Sequence, residues 1–177
     1  MTRGLLLTGA LLVAVTGCGE QTPAAERDGD GRLVMVSGRD DHGLLTTEQV
    51  AVHASVEGRP TGAIPDGTLV SVLDREGQWL RVQTVEGEAV AGWVDDFLLR
   101  GELRLVGPAP TCEARMAGDL VEGGTVVTAW RVDGDRVLVE TVAGQRRRGW
   151  AARSDLQELP PQGRSCGGDP PGSGHRH

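Results

Sequence analysis

The sequence predicts an all-β fold, two small β-barrels in tandem with an added N-terminal β-hairpin. Three observations predict it. First, 27 glycines and 3% aromatics in 177 residues describe a turn-rich chain and not a helical bundle. Second, short Val-, Leu- and Thr-containing runs are separated by Gly- and Asp-containing turns, and no segment sustains an apolar stripe at helical spacing. Third, a shift of 57 residues lays one stretch of the chain on another without gaps.

At that offset Gly67-Thr68-Leu69-Val70 falls on Gly124-Thr125-Val126-Val127, Val82-Gln83-Thr84-Val85 on Val139-Glu140-Thr141-Val142, and Gly92-Trp93 on Gly149-Trp150. Between 64–99 and 121–156, 11 of 36 positions are identical, which makes two copies of one module the economical reading. Five short strands in about 50 residues cannot fill two ordinary sheets, but they can close a small barrel over Val and Leu.

The chain opens on a targeting pattern. Met1-Thr2-Arg3 is a positive start, and residues 4–15 form an apolar run. About 12 residues are too few to span a bilayer, which takes roughly 20, but they suit the core of a signal peptide. Val15-Thr16-Gly17-Cys18 resembles the bacterial lipobox, which implies cleavage after residue 17 and lipidation (diacylglycerol and palmitate) of Cys18. The processed chain then carries −8, because 1–17 contains Arg3 alone among charged residues. Two or three acyl chains anchor stably. Residues 18–31 lack apolar periodicity and read as a flexible tether, spanning about 20 Å. The expected location is the outer face of the cytoplasmic membrane.

Residues 32–106 read as the first module. Within it Leu33-Val34-Met35-Val36 is a strand, 39–43 a turn and Leu44-Leu45 a return, together the added hairpin. Strands are expected at 50–53, 68–73, 79–85 and 89–94, then a tight turn and 97–99. Leu103-Arg104-Leu105-Val106 is too apolar for a free linker and should lie on one barrel. Residues 107–159 read as the second module, with strands at 113–116, 125–130, 136–142, 148–152 and 156–159. Residues 160–177 contain nine Gly or Pro and read as a disordered tail.

Ala63-Ile64-Pro65-Asp66-Gly67-Thr68-Leu69-Val70, Gln78-Trp79-Leu80-Arg81-Val82 and Ala91-Gly92-Trp93-Val94-Asp95-Asp96-Phe97-Leu98-Leu99 resemble the bacterial SH3-like domain, with Val50-Ala51-Val52-His53 as its opening strand. The second copy diverges, with Arg136 at the first Trp position, but keeps Gly149-Trp150 and Leu156. As a whole the chain looks like an actinobacterial lipoprotein with tandem SH3-like modules. That resemblance implies a non-catalytic binding protein for cell-wall peptide or peptidoglycan. Its groove would be lined by Trp79, Trp93, Asp95, Asp96 and Phe97, with Phe97 where a Tyr is usual. The alternative is an interaction lipoprotein docking an envelope protein partner.

Composition narrows the classes further. A formal charge of −7 and few aromatics argue against nucleic-acid binding. All 18 basic residues are Arg, and Lys, Asn and Tyr are absent, the usage of a high-GC bacterium. With Cys18 lipidated, Cys112 and Cys166 form an even pair outside the cell and are expected to be disulfide-bonded. No catalytic motif accompanies the cysteines, so no enzyme is expected. No metal or cofactor is expected either, since His42, His53, His175 and His177 are dispersed. Asp40-Asp41 and Asp95-Asp96 read as turn residues bonding their own backbone. Arg146-Arg147-Arg148 reads as a solvated hairpin tip blunted by Asp133, Asp135 and Glu140, with wall phosphates or anionic lipid as the functional alternative.

Overall fold

The computed structural model describes residues 31–40, 42–108 and 111–158. The expected signal peptide, Cys18, most of the tether, Asp41, Leu159, Cys166 and the tail with His175 and His177 lie outside the described residues. Among the described residues the chain is all-β. Its first part holds β1 (Leu33–Val36), β2 (Gln49–His53), β3 (Pro60–Pro65), β4 (Leu69–Glu76), β5 (Trp79–Thr84), β6 (Ala91–Asp95) and β7 (Leu99–Arg100). Then follow β8 (Leu103–Leu105), β9 (Ala114–Met116), β10 (Asp119–Val121), β11 (Thr125–Asp133), β12 (Arg136–Thr141), β13 (Arg148–Ala152) and β14 (Leu156–Glu158). Single 3₁₀ turns, Asp96–Leu98 and Arg153–Asp155, precede β7 and β14.

All strand pairs are antiparallel, in the order β10-β9-β13-β12-β11-β1-β4-β5-β6-β2-β3. The path reads as two copies of one arrangement. β1 pairs with β4 and β7 as β8 pairs with β11 and β14. Both copies carry a bulge at the same place, between Val72 and Asp74 in β4 and between Ala129 and Arg131 in β11. In both, a threonine side chain closes the loop after the fifth strand, β5 or β12. Thr84 Oγ1 donates to Glu88 O at 2.8 Å and accepts from Val90 N at 3.0 Å, and Thr141 Oγ1 does the same with Gln145 O and Arg147 N, at 3.0 Å each. The 57-residue offset is therefore one of hydrogen bonding as well as of letters.

The glycine of each Gly-Trp pair has a steric reason. A Cβ on Gly92 would stand 2.4 Å from Val52 Cγ1 and 2.6 Å from the His53 carbonyl oxygen; on Gly149 it would stand 2.8 Å from Ala117 Cβ. Only glycine lets β2 cross so close to β6, and the end of β9 so close to β13.

Two apolar cores result. One gathers Val36, Val50, Val52, Ile64, Val70, Leu80, Val82, Val94 and Leu99. The other gathers Leu103, Leu105, Ala114, Met116, Val127, Ala129, Val137, Val139 and Leu156, together with Leu33, Met35 and Leu69 from the first repeat. Alternate residues of β1 and β4 thus feed opposite cores. β1 also pairs with β11 through Leu33 and Ala129. Strands buried on both faces carry unbroken apolar runs, as Leu33-Val34-Met35-Val36 does.

Several expectations are corrected here. The hairpin return at Leu44-Leu45 is no strand; one bridge, Arg39 to Leu45, closes that loop. β1 already has strand partners on both sides, and Thr46 N and Thr47 N both turn in to the Gly38 carbonyl at 2.8 and 2.9 Å. Phe97 and Leu98 lie in a 3₁₀ turn, because Asp95 caps it by accepting from Phe97 N. Two strands, β3 and β10, were not expected. Residues 103–105 do lie against one core, as β8 of the second repeat, with Leu103 and Leu105 fully buried.

Candidate functional site

The outward face of β5, β6 and β2 holds the expected aromatic residues. Alternation turns Leu80, Val82, Val94 and Val52 into the core, so Trp79, Trp93 and Asp95 point away from it. Register then sets their neighbours: Trp79 stands opposite Asp95, Arg81 opposite Trp93, and Trp93 opposite His53. Trp93 is half-buried on this face and is not part of the first core.

His53 completes the group, and sequence reasoning left it aside. Its ring meets Trp79 edge-on, with centroids 5.1 Å apart and planes at 74°. Its Nδ1 lies 2.7 Å from the Gly58 carbonyl oxygen. A carbonyl only accepts, so Nδ1–H is the donor in this bond. One signal was available: His53 falls in phase with the outward positions of the Val50–Val52 alternation. Its placement beside Trp93 depends on a pairing between strands 40 residues apart.

The remaining expected residues sit on the turn beside this face. Asp95 Oδ1 accepts from Phe97 N at 3.0 Å and its Oδ2 from Gln78 Nε2 at 3.3 Å. Asp96 pairs with Arg75 at 3.3 Å. Both carboxylates therefore hold local structure. Phe97 is 56% exposed, with the Arg100 guanidinium 5.9 Å from its ring. Asp40 has the expected turn role, accepting from His42 N and Leu44 N at 2.9 Å.

The aromatic group forms an open surface. Clefts among the described residues lie elsewhere: about 590 Å³ beside Val34, Asp74, Arg75 and Leu80, and about 330 Å³ beside Arg39, Asp66, Arg153 and Glu158. Neither is lined by Trp79, Trp93 or Phe97. An aromatic face outside these clefts fits an extended ligand better than a compact one. Among the described residues, no three His, Cys, Asp or Glu side chains gather where they could hold a metal ion.

The second cleft marks a polar joint between the repeats. Buried Ser37 donates to Glu158 Oε2 at 2.5 Å, and Arg39 Nε lies 3.1 Å from Asp66 Oδ2 and 3.8 Å from Glu158 Oε1. Burial raises the Glu158 carboxyl above its ordinary 4.5; the Ser37 hydrogen bond opposes this, Asp66 adds to it, and Arg39 and Arg100 lower it. Arg153 and Glu86 form a second ion pair across the repeats. Cys112, in the loop before β9, is disulfide-bonded; Cys166 lies outside the described residues.

No protein-family model matches the chain, and no curated protein does. Among the solved structures that align with it are NlpC1 and NlpC2 from Trichomonas vaginalis. Their identities are 15% and 14%, each with a TM-score of 0.33 over 71% of this chain. The chain spans 45% and 47% of their lengths.

Proposed function

We propose that the chain is a lipid-anchored, non-catalytic binding protein of the cell envelope, whose two repeats are SH3-like barrels. In this reading the first barrel takes a cell-wall peptide, free or within peptidoglycan, on its Trp79–Trp93 face. The observation that carries it is the outward placement of Trp79, Trp93 and His53 on three neighbouring strands, outside the core. Aromatic side chains on a rigid sheet offer apolar area to an extended peptide with little loss of side-chain freedom. His53 Nε2, Gln78 and the sheet edge supply polar partners nearby. Retention of the full chain on purified peptidoglycan, and its loss in Trp79→Ala and Trp93→Ala, tests the reading. Equal retention of the variants, or none by the parent chain, overturns it.

A second reading, an interaction lipoprotein docking an envelope protein, is favoured by one observation. Leu44 and Leu45 stand 65% and 46% exposed side by side in the loop after β1. Cross-linking in cells separates the two, giving wall fragments for the first and a defined protein band for the second.

A further inference from the structure

The two repeats share a backbone plan but differ in what their outward faces carry. At the bulge, Leu73-Asp74 of the first repeat become Trp130-Arg131 of the second; Trp79 becomes Arg136 and Ala91 becomes Arg148. Each change lies on β11, β12 or β13, and the strand order brings these three together. The result is an alternating array of guanidinium and indole groups. Arg148 stacks over Trp130 at 4.3 Å, and Arg131 and Arg136 both lie 5.5 Å from the Trp150 ring centroid. Leu138 stands in register between Arg131 and Trp150.

Stacking changes what these arginines can do. A guanidinium hydrogen-bonds in its own plane, so an indole beneath it leaves the N–H edge open to an oxyanion. The stack also holds the side chain in place, which lowers the ordering cost of binding. Two carboxylates share this side: Asp133 with Arg136 at 3.7 Å, and Glu140 with Arg148 at 3.3 Å and Arg146 at 3.9 Å. The Asp133–Arg136 pair is exposed and so weak in water, and the half-buried Glu140 is divided between two arginines. Arg131 has no carboxylate within ion-pair distance among the described residues.

From this array we infer that the β11–β13 face binds a linear polyanion of repeated phosphate groups. Its cations are spread over three neighbouring strands, one each on β11, β12 and β13, without an enclosed cradle, so repeated anions gain where a single one does not. The indoles are covered by guanidinium groups, which leaves no open ring for a nucleobase to stack on and no protruding apolar group for a bilayer.

The test uses the full chain and long-chain inorganic polyphosphate as the probe, with monophosphate, poly-glutamate and phosphatidylglycerol vesicles beside it. The variant is Arg131→Asp with Arg136→Trp, which installs residues that the first repeat already carries at the same strand positions. Binding of polyphosphate that weakens with salt and falls about ten-fold or more in the variant, at an unchanged melting temperature, supports the assignment. Absent binding, an unaffected variant, equal binding of poly-glutamate, or binding of vesicles alone overturns it. If the paired variant melts earlier, Arg131→Ser alone is read by the same criteria. The outcome is independent of peptidoglycan retention, which concerns the Trp79–Trp93 face.

Discussion

Ser37 donates a 2.5 Å hydrogen bond to Glu158, 121 residues later, and so fastens the loop after the first strand to the last strand described. The carboxylate is 6% exposed and the serine fully buried. The bond therefore belongs to the interior of the joint between the repeats.

This joint gives stability a pH dependence. The folded pKa of Glu158 is raised above its unfolded value of about 4.5, so the folded state binds the proton more tightly. Its contribution is fully present below pH 4.5 and is lost as pH rises through the folded pKa. Urea unfolding at steps from pH 4.5 to 8 should show stability falling over that interval. Glu158→Gln should flatten this part of the profile; an unchanged slope would contradict the assignment.

The close crossing at the Gly-Trp pairs predicts unequal costs. Gly92→Ala puts its methyl 2.4 Å from Val52 Cγ1 and 2.6 Å from a backbone oxygen, whereas Gly149→Ala meets Ala117 Cβ at 2.8 Å and Met116 Cγ at 3.0 Å. Both should destabilise, by about 1–3 kcal/mol for overpacking, with Gly92→Ala the larger. Denaturant midpoints of the two variants, compared directly, check the order.

Leu69 belongs to the first repeat by sequence and to the second core by packing. Leu69→Ala should cost about 2–5 kcal/mol. Hydrogen exchange should show the loss of amide protection in β11 and β12 at least as strongly as in β5 and β6. Loss confined to the first repeat would mean that the cores are not interlocked through β4.

For the disulfide of Cys112, the expected partner is Cys166, closing a loop of about 55 residues around the second repeat. The chain-entropy relation puts its stabilisation at roughly 4 kcal/mol as an upper figure. A non-reduced digest should yield one linked peptide containing both cysteines, and Cys166→Ser should lower the melting temperature. Two free thiols in that digest would remove the pairing.

How far the chain could be read depended on local pattern. Strands 79–84 and 148–152 were legible because Val and Leu alternate with polar residues, or because the Gly-Trp repeat marks them. β3 was not, since Pro60, Gly62 and Pro65 lower its strand propensity; a strand at the end of the sheet tolerates them because one of its edges needs no partner. β10 is only three residues long, too short for any periodicity.

The sequence by itself determined the all-β class, the repeat and the turn positions, because these follow from side-chain alternation and from glycines whose backbone angles other residues resist. Tertiary structure alone decided that β1 and β4 serve both cores, that His53 joins Trp79 and Trp93, and that Trp130, Trp150 and their arginines form one array. Each of these rests on pairing between strands distant in sequence, where register selects which side chains meet, and register leaves no mark within a single strand.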